Sequence, residues 1–415
     1  MSVVREEWKA RICAAVDELR DHLVSASHAI HADPELAFKE FRASARLADD
    51  LARAGFAVER GVGGLETAFR AELQGTQSGP CVAILAEYDA LPDVGHGCGH
   101  NIIATSALGA GLALARASDS FAGHVLVVGT PAEEGGGGKI LLAEAGVFQD
   151  VDAAIMVHPS TRNIVRRGSL ANSRVDITFH GRAAHAASAP DMGINALEAV
   201  IQTFVAINAR RLHMRADARV HGIITHGGDA VNIVPSRAAA KFSVRAKDRP
   251  YQRLLVKMLR QSAEGAAAAT GARLEWAESR GYDNMAPNPT IADLFERNMR
   301  ALGLDVVEPT PQERMGSTDM GDISQLMPAV HAYFAIAPET TPGHSIEMAA
   351  AAASEAGDAA VINAAKSLAM TAVDLLAEPS LLERAKTEFR QMLAEGVVAG
   401  WDGWRATRRA PLAAD

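Results

Sequence analysis

The sequence predicts an α/β protein: a mostly parallel, doubly wound sheet domain with an inserted ferredoxin-like α+β domain. Between residues 66 and 157, apolar strand-like runs alternate with helical segments, as in parallel sheets with helices on both faces. Near Ala171 the pattern changes to β-α-β-β-α-β, which is typical of the split ferredoxin-like unit. A chain of 415 residues that is 48% hydrophobic can bury a core in each of two domains.

The first part of the chain is predicted from hydrophobic periodicity. Apolar residues at helical spacing predict helices over 5–30 and 40–53, and Gly55 ends the second. The following elements are predicted as strands at 68–73, 82–88, 125–129 and 153–157 and as helices at 103–115 and 139–145. Between the first two helices, His31–Glu40 is either a plain connection broken by Pro34 or a segment near the functional site; the sequence leaves both open.

The inserted unit and the segments after it continue this pattern. Strands are predicted at 175–179, 220–225, 239–244 and 273–278, and helices at 194–211 and 251–268. A helix at 291–302, a strand at 329–337 and Ala-rich helices at 348–377 and 381–394 then complete the first sheet domain. The tail 401–415 is not periodic and is expected to be loosely ordered. These patterns divide the chain into 1–172 and 285–415, which form the sheet domain, and 173–284, which is inserted.

Composition argues against several classes of partner. The net charge is −9, and basic runs are no longer than the pairs Arg210-Arg211 and Arg408-Arg409, so nucleic acid and anionic membranes are poor partners. No uncharged apolar stretch reaches the roughly 18 residues of a membrane-spanning helix.

Two further features predict a cytoplasmic protein. Charged residues within Met1–Trp8 occupy the place where a signal peptide needs its apolar core. Three cysteines, Cys13, Cys81 and Cys98, are too few and too scattered for a disulfide framework, which agrees with a reducing compartment.

One short stretch has the composition of half a metal site. Asp89, His96, Cys98 and His100 crowd into a turn directly after an apolar strand-like run. A thiolate and an imidazole separated by one glycine can both reach a borderline-soft ion such as zinc, at roughly 2.0–2.3 Å.

The other half of the site is expected downstream. Glu133 and Glu134 follow the apolar run 124–130, His158 follows 153–157, and His344 lies in a short loop motif. Such positions at or after strand ends are where open α/β sheets place their sites. Adjacent glutamates in an extended segment point to opposite sides, so one can hold a metal while its neighbour accepts a proton from water. The glycines after Glu134 could also indicate a phosphate-binding loop, but this interpretation is weakly supported, because the Ser or Thr of a P-loop does not follow Lys139.

Taken in order, these motifs resemble the M20 metallopeptidase family over almost the whole chain: Asp89-Ala-Leu-Pro92, Cys98-Gly-His100, Glu133-Glu-Gly-Gly-Gly-Gly138, His158-Pro159 and Gly343-His344. Within the family, Cys-Gly-His resembles subfamily D. The motif Gly316–Gly321 is similar to the p-aminobenzoyl-glutamate hydrolase and β-alanyl-lysine dipeptidase branch.

The resemblance implies a role for each residue of the metal site. Two divalent ions per subunit would be bound by a set of five side chains: Cys98, His100, Glu134, His158 and His344. Glu133 would be the general base, and Asp89 would orient a ligand. The resemblance gives His96 no metal role, although its spacing from Cys98 allows one, so its contribution stays open.

For the inserted unit, the resemblance implies a lid and dimerisation domain. Its members place a histidine, an asparagine and an arginine to hold the substrate carboxylate and the developing oxyanion, and these match His185, Asn232 and Arg245. In the family the histidine comes from the partner subunit, which implies a homodimer. Ser317 and Asp319 fall where family members line the substrate pocket.

The expected function is therefore hydrolysis by a two-metal enzyme with Glu133 as the base. The substrate would be small and bear a carboxylate, such as an N-acyl or N-aroyl amino acid or a dipeptide, cleaved at its amide bond. A thiolate ligand favours zinc, manganese also fits the donor set, and cobalt is possible. Two alternatives stay open: hydrolytic deamination of a small aromatic amino-acid-like compound at the same site, and a non-catalytic binding protein on this fold.

Overall fold

The computed structural model of the chain describes residues 2–279, 281–310 and 313–409. The helices and strands follow in the order α1 Ser2–Glu18, α2 Arg20–Ala32, α3 Phe41–Arg53, β1 Ala57–Arg60, β2 Phe69–Gln74, β3 Cys81–Ala86, α4 His100–Ala115, β4 His124–Gly129, α5 Gly138–Glu144, β5 Ala153–Ser160, β6 Ala171–His180, α6 Ala196–Ala209, β7 Arg219–His226, β8 Arg237–Ala246, α7 Arg249–Thr270, β9 Arg273–Glu278, α8 Pro289–Ala301, α9 Met320–Ser324, β10 Ala329–Ala335, α10 Ile346–Ala351, α11 Glu355–Ala377, α12 Pro379–Ala394 and α13 Gly400–Arg409. The chain divides into two units: the first contains the residues up to Gly168 together with Met285–Arg405, and the second contains Ser169–Asn284.

The first unit is built on a six-stranded sheet in the order β1-β2-β4-β3-β5-β10. Within this sheet, β4, β3, β5 and β10 run parallel to one another. At one edge, β2 is antiparallel to β4, and β1 is antiparallel to β2. Every residue of β3 is buried, as expected for a central strand covered on both faces. The predicted mostly parallel α/β sheet is confirmed; β1 was not predicted.

Helices α4 and α11 pack closely in the core of this unit. A Cβ at Gly109 in α4 would overlap the side chains of Leu23 and Ala365, so only glycine permits this approach. Helix α11 is long and apolar enough to cross a membrane by composition, but 83% of its most apolar window is buried inside the fold. It is therefore explained as a core helix.

Two predictions for the C-terminal third were wrong. The helix predicted over 348–377 is two helices, because Ser354 caps a new start and accepts a hydrogen bond from the Gly357 amide at 3.4 Å. The tail was expected to be loosely ordered, yet α13 begins at Gly400 and Trp404 is fully buried. The Trp404 indole donates to Asp322 Oδ1 at 3.0 Å, so a single buried anchor orders a segment without apolar periodicity. Residues 410–415 lie outside the described residues.

The second unit has the predicted β-α-β-β-α-β order. Its four strands form an antiparallel sheet in the order β7-β8-β6-β9, the ferredoxin-like arrangement. Alternate residues of β6 are buried, and its core includes Phe179 and Phe242 together with Leu255 and Leu259 from α7. The sheet thus buries one face against α6 and α7, as alternation predicts for a half-buried strand.

Candidate metal centre

The candidate site forms where three neighbouring strands end. Strands β3, β4 and β5 are parallel and adjacent, so their carboxyl ends meet at one edge of the sheet. Cys98 and His100 follow β3, Glu133 and Glu134 follow β4, and His158 lies on β5 itself.

The structure brings all five predicted ligands together. They fall into two overlapping groups, in each of which one ligand atom per residue lies within 4.8 Å of the others: Cys98, His100 and His158; and Cys98, Glu134 and His344. Cys98 Sγ is 3.5 Å from His158 Nε2, and Glu134 Oε1 is 3.5 Å from His344 Nε2. Because the groups share Cys98, the arrangement has the form of two adjacent cation positions.

The chemistry of these atoms fits divalent metal ions. His100 Nε2 and Glu134 Oε1 are buried and, among the described residues, have no hydrogen-bond partner. Burial raises the pKa of the Cys98 thiol, which disfavours the thiolate unless a cation lies beside it. A bound cation would satisfy both orphaned atoms and stabilise the thiolate, so the residues present fit the metals that the sequence predicted.

Asp89 ties two of these ligands together. Its Oδ1 lies 3.0 Å from His100 Nδ1, and its Oδ2 accepts from the Glu134 amide at 2.9 Å. Burial opposes ionisation, but His100 and the Glu134 amide outweigh it and lower the pKa of Asp89. Burial opposes the charge of His100, but Asp89 outweighs it and raises the pKa of His100 in the metal-free protein. Because Asp89 holds Nδ1–H, Nε2 is the nitrogen that would lose its proton and bind a metal, which is the function of such partners in metal sites.

His158 is oriented in the same way by the main chain. Its Nδ1 lies 2.6 Å from the Pro159 carbonyl oxygen and must donate the hydrogen, so Nε2 faces Cys98 with its lone pair. Burial, and then the charge of His100, lower the pKa of His158 to about 3, which keeps the imidazole neutral as ligation requires.

Glu133 lies beside the ligands but is placed differently from Glu134. It forms a third group with His100 and Glu134 and is 8% exposed. Burial raises the pKa of Glu133 well above its usual value, and the carboxylates of Glu87, Asp319 and Glu134 raise it further. A carboxylate with a raised pKa can accept a proton and later return it, as a general acid–base requires.

Strained backbone is concentrated in the site loops. The described non-glycine residues with positive φ are Phe38, Asp93, Ala132 and His344, at φ values from 59° to 63°. Ala132 immediately precedes Glu133, and His344 is itself a predicted ligand. The left-handed conformation costs such residues of order 1–3 kcal/mol and is typically retained at functional sites.

A buried ion cluster that was not predicted lies next to Glu133. Lys139 Nζ donates to Asp319 Oδ1 at 2.7 Å and to Glu87, and the Lys139 amide donates to Asp319 Oδ2 at 3.0 Å. All three side chains are at most 1% exposed. Asp319 was expected to line the substrate pocket, and this expectation is corrected because its buried carboxylate is used by Lys139. The one sequence signal was a lysine at the start of an otherwise apolar helix, where a charge needs a partner.

A second unpredicted group packs against His158. The His331 and Tyr333 rings, on β10, lie 5.5 and 5.6 Å from the His158 ring, and the Arg167 guanidinium lies 4.7 Å from the Tyr333 ring centroid. His331 is buried, which lowers its pKa well below the usual value and keeps it neutral. These rings limit the rotation of the His158 side chain. The sequence feature that could have predicted this group is the presence of a histidine and a tyrosine within an apolar strand.

Two further predicted residues have separate positions. His96 is buried, its Nε2 donates to the Ile30 carbonyl at 3.1 Å, and its ring lies 6.0 Å from His31. It belongs to none of the ligand groups found among the described residues. Ser317 is partly exposed, and its Oγ is buried with no hydrogen-bond partner in the described parts of the chain.

The second unit brings together only two of its three predicted residues. The backbones of His185 and Asn232 are adjacent, because Ala186 N donates to Asn232 O at 2.9 Å. His185 Nδ1 accepts from the Ala187 and Ser188 amides, both at 3.2 Å, which places the imidazole hydrogen on the exposed Nε2 as a donor. Arg245 lies at the other end of β8, about 26 Å from the strand's first residue at ~3.3 Å per residue. Within one chain, these three residues therefore do not form one cluster.

Comparison with known proteins identifies the family of this chain. The model of peptidase family M20/M25/M40 matches residues 83–374. The chain is 38% identical over 406 residues to an Xaa-Arg dipeptidase of Mus musculus, covering 94% of each chain. It is 28% identical over 453 aligned residues to a p-aminobenzoyl-glutamate hydrolase polypeptide of Escherichia coli (strain K12), covering 91% of this chain and 94% of that one.

A solved structure shares the fold. It is a dinuclear metal-binding peptidase of the M20 family from Bacillus subtilis, with a TM-score of 0.70 and 22% identity, covering 87% of this chain and 99% of that one. The family and branch that the motifs resembled are confirmed, and the non-catalytic alternative is set aside. The chain belongs to peptidase family M20/M25/M40, as a metal-dependent hydrolase of peptide or amide bonds.

Proposed function

We propose that this hydrolase is a two-metal dipeptidase that releases a carboxyl-terminal basic amino acid from small dipeptides. The observation that supports it most directly is the convergence of the predicted ligands around the buried carboxylate of Glu133. The basic specificity is supported by the 38% identical relative named Xaa-Arg dipeptidase.

Each residue has a chemical task in this proposal. Two divalent ions would be held by the set Cys98, His100, Glu134, His158 and His344, and such ions polarise the scissile carbonyl and lower the pKa of water. Glu133 accepts the proton of the attacking water and returns it to the leaving amine. Asp89 holds His100 and the Glu134 backbone in their binding orientation. Zinc suits the thiolate, and manganese or cobalt also suits the imidazoles and carboxylates.

We also propose that the protein acts as a homodimer through its second unit. His185, Asn232 and Arg245 would bind the substrate carboxylate and oxyanion, with His185 supplied by the partner subunit. The positions within one chain support this, because the segment of His185 lies beside the residues that precede β8 whereas Arg245 lies near the other end of that strand, and a two-fold partner can supply the missing residue. The edge strand β7 also exposes Ile223 and Ile224, by 65% and 46%, and exposed apolar edges favour pairing with another chain.

A substrate panel tests the reaction. Metal-loaded protein is incubated with Xaa-Arg and Xaa-Lys dipeptides, β-alanyl-lysine, p-aminobenzoyl-glutamate and N-acetyl amino acids, and the released amine and amino acid are quantified. We expect release of arginine or lysine, loss of turnover after chelation, and its return with zinc, manganese or cobalt. Preferential cleavage of p-aminobenzoyl-glutamate would overturn the basic specificity, and no cleavage of any compound by fully metal-loaded protein would overturn the dipeptidase.

A further inference from the structure

The segment His31–Glu40, whose role the sequence left open, contacts both loops of the metal centre. The Glu35 carbonyl accepts from the Ala90 amide at 2.8 Å, directly after Asp89. At the other end of the segment, Glu40 Oε1 accepts from the Ala132 amide at 2.9 Å, directly before Glu133. The segment thus connects the loop after β3 with the loop after β4.

The Glu40 side chain is an unusual group to find at this place. It is fully buried, and its Oε2 accepts from the Thr67 hydroxyl at 2.8 Å while Oε1 holds Ala132. Among the described residues, Glu40 forms no ion pair with a lysine, arginine or histidine. Burying a carboxylate without a cation is unfavourable. The buried Glu40 carboxylate is instead stabilised by two hydrogen bonds, from the Ala132 amide in the strained loop and from the Thr67 hydroxyl.

The amide that Glu40 holds belongs to the residue that sets the direction of the loop. Ala132 has φ +62°, and its carbonyl accepts from the Gly136 and Gly137 amides at 2.9 and 2.8 Å. Both sides of this residue are therefore fixed by hydrogen bonds. Because Glu133 and Glu134 come next, the conformation of Ala132 decides where the two carboxylates point.

Phe38 restrains the same loop from its other end. It also has positive φ, at 62°, and its ring occupies the space where a Cβ of Gly136 would lie. Glycine at 136 thus permits the close approach of Phe38, and a larger residue there would displace the ring. Two residues of one short segment thus bracket the loop that contains Glu133 and Glu134.

We infer that Glu40 is a positioning residue, which holds Ala132 in its left-handed conformation and thereby aims Glu133 at the reacting water. The inference rests on the proposed function for its kinetic consequence, but not for its structural one. Removing the carboxylate frees the Ala132 amide, so the start of the loop relaxes and Glu133 loses its alignment. Glu134 keeps its own anchor, because its amide still donates to Asp89 Oδ2, and the other predicted ligands lie on other loops.

The test compares Glu40→Ala, Glu40→Gln and Thr67→Val. Glu40→Ala should lower kcat about 10–100-fold, the size of effect found when partners of metal-site residues are removed, with KM and metal content near wild type. Glu40→Gln retains an acceptor for Ala132 and should recover most of kcat. Thr67→Val removes the other hydrogen bond only, so its kcat should stay within about twofold of wild type. Equal kcat in wild type and folded Glu40→Ala would overturn the inference, as would equal loss in Glu40→Gln and Glu40→Ala.

Glu388→Ala is the matched control. Glu388 accepts hydrogen bonds from the Thr290 amide at 2.9 Å and from the Thr290 hydroxyl at 2.7 Å. Like Glu40, it therefore binds one amide and one hydroxyl, but it joins α12 to α8, and neither helix contains a site residue. This variant should lose stability without a change in kcat. A matching fall of kcat in Glu388→Ala would assign the Glu40 effect to general loss of stability and would count against the inference.

Hydrogen exchange separates this inference from the proposed function. The Ala132 amide should be protected in the metal-free wild type, exchange faster in Glu40→Ala, and be protected again in Glu40→Gln. If no panel compound is cleaved, the proposed function fails while this exchange pattern still decides the role of Glu40; unchanged Ala132 exchange in folded Glu40→Ala refutes it. If Glu40→Ala does not fold, Glu40→Gln and Thr67→Val provide the test. A large loss of kcat in Thr67→Val contradicts the inference. Wild-type kcat together with a protected Ala132 amide in each of these two variants supports it.

Discussion

Single atoms decide the chemistry of this site, because two of its histidines each have one ring nitrogen held by the protein. Asp89 and the Pro159 carbonyl each take one nitrogen of a histidine, so the other nitrogen of His100 or His158 faces the ligand group. Before a metal binds, burial keeps His158 neutral. Burial also raises the pKa of the Cys98 thiol and opposes the charge of His100, but Asp89 outweighs it and raises the pKa of His100, so a bound metal must displace a proton from each of these two residues.

Substituting the general base should separate binding from turnover. Glu133→Ala removes the group that accepts the proton from water, so we expect turnover to fall about 10²–10⁴-fold while metal content is kept. Metal analysis and kcat on a cleaved dipeptide check this. Glu134→Ala is the comparison, because it should lose metal as well. Wild-type turnover in Glu133→Ala would remove this residue from the mechanism.

Substituting the thiol ligand should have the opposite signature. Cys98→Ser replaces a thiolate by a hydroxyl, a far poorer donor to zinc, so metal occupancy should fall at a fixed free-metal concentration. Cys13→Ser is a suitable control, since Cys13 is a half-buried thiol on α1 and belongs to no ligand group among the described residues. Equal occupancy in wild type and Cys98→Ser contradicts the ligand assignment.

At the scale of elements, buried charges fasten helices to the sheet edge that holds the site. Lys139 at the start of α5 joins Glu87, directly after β3, to Asp319, directly before α9. This cluster sets the position of α5 and thereby of the end of the Glu133 loop.

Breaking this cluster should be costly. Lys139→Met leaves two carboxylates buried without their cation, so we expect the free energy of unfolding to fall by about 3–5 kcal/mol. Lys386→Met, which removes a 29%-exposed partner of Asp152, should cost no more than about 1 kcal/mol. Urea denaturation of the metal-free proteins measures both. If the free energy of unfolding fell by a similar amount in both variants, the buried cluster would contribute no more to stability than the partly exposed Lys386–Asp152 pair.

A second ion cluster makes the attachment of α8 dependent on pH. Burial opposes ionisation of Glu296, but hydrogen bonds from Arg166 and Arg300 outweigh it and lower the pKa of Glu296. A carboxyl whose folded pKa is depressed adds stability above its unfolded pKa, about 4.3, and loses it as the pH falls through the folded value.

The stability penalty of Arg166→Met should accordingly be present at pH 7 and shrink at pH 3. Urea midpoints at the two pH values give the comparison. Arg384→Met removes a 60%-exposed arginine whose i,i+4 partner is Glu388, and it should show a small penalty at both pH values. A penalty for Arg166→Met that does not change with pH contradicts this account of Glu296.

At the scale of the whole molecule, the proposed dimer makes a prediction that no single-chain arrangement makes. If each site combines Glu133 of one chain with His185 of the other, Glu133→Ala and His185→Ala chains should complement when mixed. Half of the dimers are then mixed and one site of each is intact, so activity should return to about a quarter of wild type, as two-fold symmetry requires.

Each variant alone is the control and should stay inactive. Subunit exchange is verified by mass spectrometry of differently labelled chains. If His185 acts within its own chain, every site in the mixture lacks one residue, so an inactive mixture after verified exchange refutes the shared site.

The sequence alone determined the fold class, and its motifs, through their resemblance to a known family, named the predicted ligands that the fold brings together. Strand periodicity, turn residues and the order of Cys98, His100, Glu134, His158 and His344 are local, and a sheet whose parallel strands end at one edge brings such local motifs together. The broken helix at Ser354 and the order of α13 escaped prediction, because one cap and one buried indole outweigh periodicity.

Only the tertiary structure decided which polar residues serve the fold and which face the site. Lys139 pairs with both Glu87 and Asp319, Glu40 holds the amide of Ala132, and Arg245 lies near the end of β8 while His185 lies outside that strand. These pairings join residues distant in the chain, and hydrogen bonds and ion pairs act only over a few ångströms. The spacing of residues along a sequence does not contain such distances, so the partners of buried charges become visible only once the chain has folded.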